Sequence, residues 1–127
     1  MNAYGEVAVE SVRLCTKRGL DPRNAWHAAA KLRFPDSPSS QTKGCPRGAF
    51  VGLCAAGLVR DVAPETEAGQ LGKNARYACA AIKILIAAKP TIRSATELWR
   101  EVGQGKRHNH QMDVVLALWS RGLIHGS

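Results

Sequence analysis

The sequence predicts an all-α fold: a single small domain over residues 1–127, with about six helices in two pseudo-repeated three-helix units. Three observations predict it. Apolar residues recur three and four positions apart in several segments, and no stretch alternates with period two for long enough to argue a sheet. Helix start and stop signals bracket these segments. The second half also echoes the first: Tyr4 and Trp26 stand 22 positions apart, as do Tyr77 and Trp99.

The first helix lies in "YGEVAVESVRLCTKRG", where Val7, Ala8, Val9, Val12, Leu14 and Cys15 form an apolar face and Gly19 supplies a stop. In "LDPRNAWHAAAKL", Asp21 is a natural cap and Pro22 suits a first helical turn. The Pro- and Ser-rich stretch "RFPDSPSSQTKGC" reads as an irregular loop. A third helix starts at Pro46, carries Phe50, Val51, Leu53 and Cys54 inward, and stops at Gly57 with Leu58 folding back. The second unit opens with a helix from Tyr77 ended by Pro90. It continues with "SATELWREV", where Ser94 and Glu97 form a capping box, and then the loop "GQGKRHNH". It closes with "QMDVVLALWSRGLI", in which Leu116, Leu118 and Trp119 face inward and Gly122 is the stop. The units span about 3–62 and 74–125, joined by a connector at 63–73. Asp21 falls on Ser94, Gly57 on Gly122 and Leu58 on Leu123, with the first loop eight residues longer. Trp26, Trp99 and Trp119 sit on apolar faces as core anchors.

Composition agrees. A chain of 127 residues is the size of one domain. Hydrophobic content is 45% with only 6% aromatic, which favours close packing of small-residue helices. No apolar run approaches the roughly 18 residues of a membrane span, and the first residues lack a secretory signal pattern, so a cytoplasmic location is expected. Cys15, Cys45, Cys54 and Cys79 lack paired spacing. They are expected to be reduced, and neither a metal site nor a cofactor is implied. The formal charge of +8 and pI near 9.8 favour a polyanionic partner such as nucleic acid.

Each three-helix unit resembles the helix-turn-helix pattern, although "GQGKRHNH" is longer than the usual turn of about three to four residues. The phrases "SSQTKGCPRGAFVGLC", "GKNARYACAAIKIL" and "RHNHQMDVVLALWSRGLI" together resemble a small family of uncharacterised bacterial proteins. That resemblance implies an all-helical single domain and names no activity.

Two loop-to-helix junctions carry the candidate chemistry. In "SSQTKGCPRG", Ser39, Ser40 and Thr42 offer hydroxyls, Lys43 and Arg47 offer charge, and Gly44 lets a ligand reach the backbone at a helix start. In "GKRHNHQ", Lys106, Arg107, His108, Asn109, His110 and Gln111 can meet phosphates or base edges. Lys73, Asn74 and Arg76 can add backbone contacts. The tripeptide His-Asn-His lacks the ββα setting of the nuclease motif that shares its letters, and two histidines so spaced do not define a metal site. The leading expectation is therefore a basic helical protein that binds nucleic acid, DNA foremost, through both junctions. An alternative is a small-molecule or phosphate site, or an enzyme, between the halves. There Cys45, at a helix start between Lys43 and Arg47, would be the nucleophile and His108 or His110 its base. A third is a protein-interaction module acting as a homodimer.

Overall fold

The computed structural model describes residues 2–65, 72–88 and 94–127. They form seven helical segments: α1 (Ala3–Arg18), α2 (Pro22–Arg33), α3 (Pro38–Gln41), α4 (Gly44–Ala55), α5 (Lys73–Ala88), α6 (Ala95–Val102) and α7 (Gln111–Ser120). No strand occurs among the described residues, and no described helix is long and apolar enough to cross a membrane.

The Asn2 side chain caps α1 by accepting from Tyr4 N at 2.7 Å. Tyr4, Val7, Ala8, Ser11 and Val12 form its buried stripe, at three- and four-residue spacing. Ser11 is tolerated there because its hydroxyl donates to Val7 O at 2.7 Å. Val9 and Cys15, expected on the same face, are only half-buried. Asp21 caps α2 through Asn24 N at 2.8 Å, with Pro22 at its first turn. Ala25, Ala29 and Ala30 keep the buried face of α2 shallow, so α1 lies close, while Trp26 reaches past them to Phe50, with ring centroids 5.5 Å apart. The Trp26 Nε1–H is buried without a hydrogen-bond partner.

Several expectations shift. The stretch expected to be irregular contains α3, a single turn capped by Ser37. Local side-chain bonds explain it: Ser37 Oγ accepts from Ser40 N at 3.4 Å and Gln41 Nε2 donates to Phe34 O at 2.7 Å. Helix α4 begins at Gly44, so Cys45 lies inside its first turn rather than at the cap. Helix α5 begins at Lys73 rather than Tyr77, and its expected stop, Pro90, lies outside the described residues. In α7 the buried residues are Gln111, Met112, Val114, Val115, Ala117 and Leu118, while Leu116 and Trp119 are half-buried. The period of 3.6 turns Val114 and Val115 inward together with Leu118 and leaves Leu116 beside the core.

Helices α4 and α7 end alike. Gly57 (φ 77°) and Gly122 (φ 70°) take the left-handed conformation. Leu58 N donates to Leu53 O, and Leu123 N to Leu118 O, the long-range bond of a Schellman end. These two ends then meet in an antiparallel bridge between Val59 and Ile124. Arg60 N donates to Leu123 O at 2.8 Å and His125 N to Leu58 O at 3.0 Å. Both bonds join positions related by the register in which the halves overlay, so the bridge is reciprocal. One core runs through the molecule, from Tyr4 and Val7 in α1 to Ile124.

Candidate nucleic-acid interface

The helix starts are drawn together. Tyr4, in the first turn of α1, stacks on His110 just before α7, with centroids 4.8 Å apart. Its hydroxyl donates to Ser40 O at 3.1 Å, tying in α3. Cys45 of α4 receives Asn109 Nδ2 at 3.5 Å. Asn74, in the first turn of α5, accepts from Gln111 Nε2 at 3.1 Å. The first turns of α1, α4, α5 and α7 therefore share one region, where their positive dipole ends add. Neither Lys43 before α4 nor His110 before α7 accepts a backbone N–H of the following turn through its side chain.

The two predicted loops thus lie side by side, but not every predicted residue is free to meet a ligand there. Gln111 is 3% exposed. Its Oε1 accepts from Asn109 N at 2.8 Å while its Nε2 serves Asn74, so its carboxamide is spent on joining α7 to α5 and is removed from the contact set. His108 Nε2 accepts from Met112 N at 3.1 Å and thereby caps α7, and the ring lies 5.2 Å from Trp99. His110 turns Nδ1 to Asp113 Oδ2 at 2.9 Å. Ser40 is committed through both its hydroxyl, bonded to Ser37, and its carbonyl. Ser39 is exposed on α3. What faces solvent is basic: Lys106 and Arg107 are exposed, and Lys43 and Arg47 half-exposed. The Arg47 guanidinium folds back to within 3.5 Å of where a Cβ on Gly44 would lie, over the first turn of α4.

Thiol chemistry gains no support. Among the described residues no hydrogen bond joins Cys45 to His108 or His110, and Sγ is taken up by Asn109. Burial pushes the thiols of Cys15, Cys54 and Cys79 up, and all four cysteines are free. No group of three or more metal-ligating side chains occurs among the described residues.

A groove of about 410 Å³ opens beside the junction, and its lining includes Lys73, Arg76, Tyr77, Gln104 and Lys106. Sequence reasoning passed over Tyr77 and Gln104. In the sequence Tyr77 reads as a helix start and a repeat marker, and no local pattern distinguishes Gln104 from loop filler. A larger cavity of about 530 Å³ beside the start of α2, with Asp21, Arg23 and Glu65 in its walls, includes none of the predicted site residues.

His108 is expected to make the stability of the fold depend on pH. Burial holds its imidazole below the ordinary value, with Asp113 opposing and His110 reinforcing the shift. The unfolded chain therefore binds the extra proton first. The stability that neutral His108 contributes is complete above the unfolded value of roughly 6.5 and is lost as pH falls from there through the folded value. Melting temperature is expected to fall from pH 7 to pH 5 more steeply in the wild type than in His108→Gln, whose amide oxygen can still accept from Met112 N. Parallel pH profiles for the two proteins would refute the assignment.

Together the fold and this junction define a small, basic, all-α domain with one composite loop face. The chain belongs to DUF6979, a family of unknown function whose model matches residues 1–125. No curated protein and no solved structure matches it.

Proposed function

We propose that the protein binds nucleic acid, contacting backbone phosphates across the face where the two loop-to-helix junctions meet. One observation carries this reading. Four helix first turns share a region flanked by Lys43, Arg47, Lys73, Lys106 and Arg107, while the carboxylates of those turns, Glu6 and Asp113, are held by Arg33 and His110. Such an arrangement favours polyanions over neutral ligands, because helix dipoles and fixed cations act on the same charge. DNA remains the foremost candidate, with contacts from Lys43, Arg47, Lys106, Arg107 and Asn109. Phosphate contacts of this kind position a strand without reading its sequence.

The test is fluorescence anisotropy with labelled duplex and single-stranded DNA from 50 to 200 mM salt. Affinity should fall steeply, with a log–log slope for single strands of at most about 3.5 if Lys43, Arg47, Lys73, Lys106 and Arg107 all pair. Lys43→Ala and Arg107→Ala should each reduce that slope by about 0.7 and weaken all sequences alike. Absence of binding at low salt, or binding indifferent to salt, sinks the proposal.

A further inference from the structure

The groove beside the junction has walls of three distinct kinds. Lys73 and Lys106 give it positive charge, and none of the described residues lining it is acidic. Tyr77 gives it an aromatic wall, and Gln104 a carboxamide. Its volume of about 410 Å³ lies within the range of roughly 300–1,000 Å³ usual for small-ligand sites.

Trp99 joins the Tyr77 wall to the turn that carries Gln104 and Lys106. Its ring meets Tyr77 edge-on at 5.0 Å between centroids. Its Nε1 donates to Lys106 O at 2.7 Å, which fixes the turn carrying Lys106. Gly103 lies against the indole so closely that a Cβ there would come within 2.3 Å of it, so the turn seats directly on the ring. Lys106 N then closes the turn on Gly103 O at 3.0 Å. Within this turn Gln104 adopts φ 53°, a left-handed conformation that glycine would take without strain. A glutamine kept there presents a polar side chain to the groove at a backbone cost.

We propose that this groove receives one nucleoside phosphate unit. The base lies against Tyr77, the phosphate sits between Lys73 and Lys106, and the Gln104 carboxamide hydrogen-bonds the base edge. The unit is either an unpaired nucleotide within a strand or a free nucleotide, and the chemistry recognised is the same. The strand case rests on the nucleic-acid reading above. Bases inside a duplex are stacked and paired, so the groove selects single strands over duplex, whereas contacts to phosphates alone do not.

The experiment compares a mixed-sequence single-stranded 12-mer, its duplex and an abasic strand of equal length by anisotropy, and adenosine monophosphate against ribose 5-phosphate by calorimetry. Tyr77→Leu is expected to weaken the base-containing single strand and the mononucleotide by roughly fivefold to a hundredfold, the usual range for loss of one stacked base. Duplex and abasic strand should change by less than about twofold, and Tyr77→Phe should bind as the wild type does. Gln104→Gly, which relieves the left-handed backbone, should melt no lower than the wild type yet bind base-containing ligands more weakly. It decides the matter if Tyr77→Leu does not fold. If neither variant alters binding of base-containing ligands, or both weaken every strand equally, the groove is overturned, and salt-dependent strand binding would leave the nucleic-acid reading standing. If the mononucleotide binds in a Tyr77-dependent way while no strand does, the groove stands and the nucleic-acid reading falls.

Discussion

Gly52→Ala is expected to destabilise the protein by about 1–3 kcal/mol, the range for overpacking a core, although alanine is the better helix former by about 1 kcal/mol. The clash outweighs the propensity gain because of where it falls. A Cβ on Gly52 would lie 2.2 Å from Ala75 Cβ and 2.6 Å from Ala75 Cα. The obstacle is backbone and a methyl group, so no rotamer change removes it, and α4 and α5 must move apart. That separation reaches the site. One turn earlier on α4, Gly48 faces Asn74, whose carboxamide holds Gln111 of α7. Gly44→Ala is the matched control in the same helix. Its Cβ would meet only the flexible end of Arg47, at 3.5 Å, and its stability should hold or rise. Chemical denaturation of the three proteins measures this. A Gly52→Ala midpoint equal to the wild type would show that α4 and α5 are not locked at this crossing.

The all-α fold was legible because its signals are local. Asp21 and Ser94 cap the helices they were expected to cap, and Gly57 and Gly122 stop theirs with the same pair of backbone bonds. Non-local features stayed hidden. A glycine at position 52 carries no mark of the helix that passes 2.2 Å from its missing Cβ. Short polar segments were also misjudged: Ser37 and Gln41 close a turn of helix in a stretch that composition assigns to loop. The candidate site divides in the same way. Lys106 and Arg107 were legible as charge, and charge on a loop tends to stay in solvent. Gln111 and His108 looked equally available, yet each is consumed by a neighbouring backbone or side chain. Polar residues beside a helix start can serve the helix or a ligand, and only the position of the first turn decides between these. The reciprocal bridge at Val59 and Ile124 joins positions that the sequence overlay had already paired.

Trp99→Ala is expected to cost about 3–5 kcal/mol, the usual penalty for emptying a buried tryptophan site. That is a large share of the roughly 5–15 kcal/mol that holds a domain of this kind together. The loss has several parts. The indole belongs to the same core cluster as Leu98 and Val102, and it supports the Tyr77 and His108 rings. Gly103 cannot collapse into the vacated volume without releasing the turn that Lys106 N closes on it. Trp99→Phe separates packing from positioning. The smaller ring keeps most of the apolar contact but loses the bond to Lys106 O, a net loss of about 1 kcal/mol for one hydrogen bond. Because that carbonyl belongs to an exposed residue, water can take the vacant place, and stability should fall only modestly. Groove binding should fall further than stability does, since the turn that brings Lys106 to the groove is then released. Denaturation midpoints set beside mononucleotide titrations for both variants separate the two effects. If Trp99→Phe binds as tightly as the wild type, the indole N–H does not position the groove, and Trp99 acts through packing alone.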